Sequence, residues 1–151
     1  MVWGAISYNG VGKLVFIDTR MNSSVYIDVL SSGYIRTLEK HGFDVQGTIL
    51  QQDNDPKHFS AETMRWIKTQ NIQVLQWPSC SPELNVIGHV RHYIKVRVSR
   101  VGIRSRNIDE LKAIIQLIWN YVPQDYIRRL YDSIPERLNQ VIKAKGGYTK
   151  Y

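Results

Sequence analysis

Apolar and polar positions change rhythm along the chain, and each change marks an element. Val2-Trp3-Gly4-Ala5-Ile6-Ser7 and Lys13-Leu14-Val15-Phe16-Ile17-Asp18 are short apolar runs on either side of Tyr8-Asn9-Gly10-Val11-Gly12. The Asn-Gly pair supplies positive-φ residues, so two antiparallel strands joined as a hairpin are expected first. Helical spacing follows in Val25, Tyr26, Val29, Leu30, Ile35 and Leu38, with Asn22 or Ser23 as N-cap and His41-Gly42 as stop. Gly33 weakens the middle of that helix. Gly47-Thr48-Ile49-Leu50-Gln51-Gln52 then reads as a buried strand ending at Asp53, where open α/β sheets commonly place their chemistry.

A second helix fits Ser60 to Thr69 with Ser60 as cap, and Ile72-Gln73-Val74-Leu75-Gln76-Trp77 reads as another strand. Pro78 and Pro82 enforce a loop. A basic helix is expected from about Glu83 to Val98, then helices from Ile108 to Tyr121 and from Gln124 to about Ala144, the last interrupted near Pro135. No internal repeat or low-complexity segment breaks this order.

Composition narrows the class. A chain of 151 residues that is 43% hydrophobic can bury one core, so one domain is expected. The single cysteine, Cys80, excludes an internal disulfide and a cysteine zinc cluster, and fits a reducing compartment. The apolar runs are short and interrupted by charge, and Met1-Val2-Trp3-Gly4 lacks the features of a signal peptide. A soluble, intracellular protein without a membrane partner is expected.

A net charge of +7 and a pI near 9.6 point to a polyanionic partner. From Leu84 through Ile108 there is no acidic residue, while Arg91, Lys95, Arg97, Arg100, Arg104 and Arg106 all fall there beside His89 and His92. Such a stretch can lie along a nucleic-acid backbone. The same composition also describes a solvated basic helix face with no partner.

Gln-Gln-Asp-Asn-Asp-Pro-Lys-His at 51 to 58 and Trp-Pro-Ser-Cys-Ser-Pro-Glu-Leu-Asn-Val-Ile-Gly-His at 77 to 89 carry a more specific signal. Together with the ending Gly146-Gly147-Tyr148-Thr149-Lys150-Tyr151, they resemble the catalytic domain of Tc/mariner-like DDE transposases. The resemblance covers nearly the whole chain. It implies an α/β, RNase H-like mixed sheet with flanking helices, here lacking the first, central strand and the first catalytic aspartate that strand would carry. On that reading residues 1–151 form one partial catalytic domain, with strands and helices to about residue 98 and C-terminal helices over about 108–145. The natural C-terminus is expected to be present, and the missing strand leaves two apolar sheet edges open to aggregation or to pairing in trans.

In the family an aspartate and a glutamate with 34 residues between them share two divalent ions, Mg2+ or Mn2+. Asp53 matches the second acidic position and the metal-ligand role; the position reached after 34 intervening residues is Gly88, which has no side chain to offer. Two metals activate the attacking oxygen and stabilise the leaving oxygen of a phosphodiester, and carboxylates fix the pair. With two of three anionic ligands missing, metal binding is expected to be weak or absent. Asp55 and Glu83 are the candidates for rescue, and neither spacing favours it. The family commonly has proline, glutamate and tryptophan where this chain has Val86, Gly88 and Arg91, so the departures cluster at one helix start.

The resemblance therefore implies descent from a DNA transposase, with DNA transposition and integration as the ancestral activities and cleavage lost here. The alternative is a non-enzymatic module that binds DNA, or pairs with another copy or with a full-length transposase. Arg91, Lys95, Arg97, Arg100, Arg104 and Arg106 are the candidate DNA contacts. His58 either touches DNA or caps the next helix. A nuclear location follows from the resemblance and the basic charge.

Overall fold

The computed structural model describes residues 1–78, 81–100 and 107–145. Chain contacts divide it into two units: residues 1–5 with 12–80, and residues 6–11 with 81–151.

The expected hairpin forms, with β1 over Val2–Ser7 and β2 over Gly10–Phe16. At its base the Met1 and Ile17 backbones exchange two hydrogen bonds, the antiparallel signature. Gly10 takes φ +120°, as the turn requires. β2 starts and ends earlier than the apolar run suggested, because strand pairing begins directly at the turn glycine.

The helical region of the first unit is α1 (Ser23–Val29), a π turn (Leu30–Ile35) and α2 (Arg36–His41). Asn22 is the cap: its side chain accepts from the Val25 amide at 2.8 Å. Gly42 closes the helix at φ +68°, the left-handed conformation expected of a glycine stop. One continuous helix was expected, and the π turn is the correction. Its cause is Gly33, where an added Cβ would overlap Trp3 of β1 and press on Val15 of β2. The wide turn lets the helix backbone lie against the hairpin.

β3 (Ile49–Leu50) and β4 (Gln73–Val74) pair in parallel, with Ile49 opposite Gln73 and Leu50 opposite Val74. Both are shorter than the six-residue runs that predicted them. Among the described residues the strands form two separate two-stranded sheets, β1-β2 and β3-β4. Between β3 and β4 runs α3 (Ala61–Thr69), capped by the Ser60 hydroxyl accepting from the Thr63 amide at 3.2 Å. The core of this unit is Tyr26, Leu30, Tyr34, Leu38, Leu50, Ile67 and Ile72, with Trp3 and Trp66 packed against it. Leu30 is fully buried, worth about 1.5–3 kcal/mol relative to exposure.

Among its described residues the second unit is helical apart from the hairpin tip. After a 3-10 turn at Pro82–Leu84 come α4 (Ile87–Arg100), α5 (Ile108–Asn120), α6 (Gln124–Asp132) and α7 (Ile134–Lys143). The basic helix was expected from Glu83; the 3-10 turn delays it to Ile87. Pro135 lies in the first turn of α7, where its missing N–H costs nothing, so the predicted interruption is a clean restart. α4 packs against α5 and α6 against α7, burying Val90, Trp119 and Ile127. The tip is tied down inside this unit: the Tyr131 hydroxyl donates to the Ile6 carbonyl at 3.0 Å and Gln124 Nε2 to the Asn9 carbonyl at 3.1 Å.

Candidate nucleic-acid interface and acidic site

β3 ends at Leu50, and the next residues alternate as a strand end should: Gln52 is buried and Asp53 exposed. Asp53 heads a tight turn in which its Oδ1 accepts from the Asp55 amide at 3.3 Å. Asn54 anchors the turn by donating to the Trp77 carbonyl at 2.9 Å.

Tyr26, Gln52 and His58 make the surroundings of Asp53; the sequence named His58 as a candidate but gave Tyr26 and Gln52 no role at this site. Tyr26, from α1, is buried and donates its hydroxyl to Gln52 Oε1 at 2.5 Å. Burial first, and then the charges of Asp53 and Asp55, push its phenol well above the ordinary range, so it stays a donor. The His58 ring stacks on the Tyr26 ring, with centroids 4.0 Å apart and planes at 27°. His58 Nδ1 faces Asp53 Oδ1 at 2.9 Å and the Asp53 carbonyl oxygen at 3.1 Å. Two acceptors on one ring nitrogen require that nitrogen to carry the proton. His58 therefore does not cap α3, since Ser60 does; it braces the Asp53 turn from inside.

Asp55 is committed elsewhere. It accepts from the Lys57 amide at 3.0 Å, and the Lys57 ammonium lies 2.7 Å from Oδ1 and 2.8 Å from Oδ2. The hydrogen bonds from Lys57 hold the Asp55 carboxyl below the usual carboxylate range, with burial opposing. A carboxylate already neutralised by an ammonium is a poor metal ligand. Among the described residues no group of three or more His, Cys, Asp or Glu side chains could hold a metal ion. The residues present do not fit the expected Mg2+ or Mn2+ pair.

In the second unit Gly88 is the second residue of α4, exposed, and an added Cβ there would meet nothing within 4 Å. It sits in the first turn rather than the interior, so the full interior cost of glycine, about 1 kcal/mol, does not apply. Helical spacing puts Arg91, His92, Lys95 and Ser99 on the same face as Gly88, and all are exposed.

The other basic residues divide. The Arg97 guanidinium lies over the Tyr93 ring, 3.3 Å from its centroid, and Tyr93 stacks on Tyr126 at 5.1 Å. Arg100 is the exposed last residue of α4. His89 turns inward: its Nε2 lies 2.8 Å from Nη1 of the buried Arg137, whose Nε donates to Ser133 Oγ at 2.7 Å. A guanidinium only donates, so His89 Nε2 is the acceptor and the ring is neutral. Burial, then Arg137 and His92, hold its pKa below the ordinary value. The expectation that His89 adds to the basic face is thus corrected. Arg104, Arg106 and the closing Gly146 to Tyr151 lie outside the described residues.

Comparison with known proteins gives the same answer from three sides. A family model described as DDE superfamily endonuclease matches residues 1–112. The transposable element Tcb2 transposase of Caenorhabditis briggsae is 36% identical over 154 residues, a match taking in 100% of this chain and 54% of that protein. The transposable element Tc1 transposase of Caenorhabditis elegans is 35% identical over 152 residues, with the same two shares. The chain spans about half the length of the curated relatives it matches. In structure it is similar to the catalytic domain of Mos1 mariner transposase, with a TM-score of 0.79 at 18% identity over 99% of this chain and 75% of that one. A Mos1 mariner paired end complex with Mn gives a TM-score of 0.81 at 18% identity, over 99% and 44%. The fold is the mixed α/β, RNase H-like one expected.

Proposed function

Because this chain belongs to the DDE superfamily endonuclease family, we propose that it is a transposase-derived DNA-binding chain that does not itself cut DNA. Gly88 is the observation that carries this reading. At the position where the family resemblance calls for a glutamate, the chain has an exposed glycine with open space above it. Whatever sequence precedes residue 1 in a longer protein, that ligand is missing.

Asp53 cannot make up the loss. It is one carboxylate, and one of its oxygens already faces His58. Asp55 is held by Lys57. A divalent pair supplies the charge that activates water and stabilises the leaving oxygen, and it needs several carboxylates to stay in place. No catalytic step is therefore assigned to these residues. What they do is fix the Asp53 turn through the stack of His58 on Tyr26 and the bond from Tyr26 to Gln52.

DNA is the partner because the exposed face of α4 is basic and because relatives of this fold are known with DNA, including a Mos1 transposase paired-end complex with a left transposon end. A nuclear location accompanies that partner. Among the described residues no helix is long and apolar enough to cross a membrane.

A second reading, pairing with another copy or with a full-length transposase, is favoured by the β3-β4 sheet. Among the described residues it has two strands, and Ile49 in β3 and Leu75 just after β4 are 60% and 41% exposed. Two-stranded sheets are marginal alone.

The test is nicking of supercoiled plasmid in Mg2+ or Mn2+ by the purified chain and by Asp53→Ala. Equal backgrounds are expected. Nicking by the parent chain that Asp53→Ala abolishes would overturn the proposal.

A further inference from the structure

Sequence alone offered the basic stretch as one block; the side chains on α4 divide it by direction. His89 faces the buried Arg137, and Arg97 lies on Tyr93. Arg91, His92 and Lys95 remain on one exposed face, beginning at Gly88 and ending at Ser99, whose hydroxyl turns back to the Lys95 carbonyl at 2.9 Å. No Asp or Glu occurs between Ile87 and Arg100. Among the described residues no ion pair engages Arg91 or Lys95.

Resting on the reading of this chain as DNA-binding, we infer that the Gly88, Arg91, His92 and Lys95 face of α4 is a metal-independent clamp for the DNA phosphodiester backbone. Lys95 lies four positions after Arg91, about 6 Å along the helix axis, so the two cations stand in file and can meet successive phosphates of one strand. Gly88 leaves the N-terminal end of that file free of any side chain, and a Cβ there would touch nothing within 4 Å. A strand can thus lie close to the first turn, where the backbone N–H groups carry partial positive charge. The occupant is set by charge: a file of cations on a helix that carries no Asp or Glu attracts a polyanion directly and needs no divalent ion as a bridge. Such contacts position DNA without reading its sequence.

The test measures fluorescence anisotropy of a labelled DNA duplex with the full 151-residue chain across a salt series, with Mg2+ and with EDTA. Circular dichroism checks each variant. Binding is expected to persist in EDTA and to be no weaker there than in Mg2+, which competes for the phosphates. Its logarithm should fall with log salt at a slope of at least about −2, and Arg91→Gln and Lys95→Gln should each remove about one unit of that slope. Gly88→Glu, which puts a carboxylate on the same face, is expected to weaken binding. Lys143→Gln, an equal loss of charge on α7, should leave the slope unchanged. Binding that vanishes in EDTA, or that survives Arg91→Gln and Lys95→Gln with its slope intact, would overturn the clamp while leaving the DNA-binding reading standing. A folded parent chain that binds no duplex at any salt would overturn both.

Discussion

His58 turns its Nδ1 to Asp53, 2.9 Å from the carboxylate Oδ1 and 3.1 Å from the carbonyl oxygen, while its ring lies on Tyr26 with 4.0 Å between centroids. One imidazole therefore joins the acidic turn after β3 to a buried residue of α1. Removing the ring should loosen that turn. His58→Ala is expected to cost about 1 kcal/mol, the worth of a stacked pair, whereas His58→Phe keeps the stack and loses the bond to Asp53. Chemical denaturation of the two variants checks this: Phe should recover most of the loss, and equal losses would contradict the stacking account.

Gly33 predicts an effect opposite to helix propensity. Alanine favours a helix interior over glycine by about 1 kcal/mol, but a methyl group at Gly33 would run into Trp3 and Val15. Overpacking of this kind costs about 1–3 kcal/mol. Gly33→Ala should therefore lower the denaturation midpoint, and a raised midpoint would show that the hairpin and the π turn are not in contact as described.

His58 and Gly33 both act through residues far away in the chain, whereas the features legible in the sequence act locally. The caps Asn22 and Ser60, the Gly42 stop and the restart at Pro135 were readable because each acts on backbone groups within a few residues of itself. The position of Asp53 at the end of an apolar run was readable for the same reason. The π turn was not, since it answers to Trp3 and Val15 on the hairpin. The short lengths of β3 and β4 depend on which strand each finds, a non-local fact. The stack of His58 on Tyr26 and the contact of His89 with Arg137 join residues far apart in sequence, and no local pattern announces either. For that reason the stretch from Leu84 to Ile108 read as uniformly basic until direction separated Arg91 and Lys95 from Arg97 and His89.

The His89 and Arg137 pair makes stability depend on pH. Burial and the guanidinium hold the folded-state pKa of His89 below its ordinary value of 6.5. A group whose folded pKa is depressed contributes stability that is complete above the unfolded value and is lost as pH falls through the folded one. Stability should therefore decline below about pH 6.5, as the unfolded chain takes up a proton that the folded chain resists. His89→Gln, which keeps a polar group of similar reach, should flatten that part of the profile; an unchanged slope between the two proteins in urea titrations at several pH values would contradict it.

Arg137 itself is 3% exposed, with Nε on Ser133 and Nη1 on His89. Arg137→Met fills similar space but leaves the half-buried His89 acceptor without that donor, at a cost of about 1 kcal/mol. Thermal unfolding checks the loss. A variant as stable as the parent would show that the His89 ring finds another donor.

Lys57 predicts a local electrostatic change. Its hydrogen bonds to Asp55 are the largest cause of that carboxyl's lowered pKa, so Lys57→Met should raise the Asp55 value toward 3.8. The side chains of both are about one-third exposed, and solvent screening keeps the effect on stability small. Carboxyl carbon shifts followed by NMR through an acid titration would read the change, and an unmoved Asp55 would contradict the pairing.

The central claim is that Asp53, without a carboxylate at Gly88, does not assemble a divalent metal pair. It is tested most directly by titrating Mn2+ into the folded chain and following the free ion by electron paramagnetic resonance, with Asp53→Ala and Gly88→Glu beside it. The account predicts that the parent chain and Asp53→Ala take up Mn2+ alike, weakly and without saturation in the micromolar range. Saturable micromolar binding by the parent chain that disappears in Asp53→Ala would contradict it.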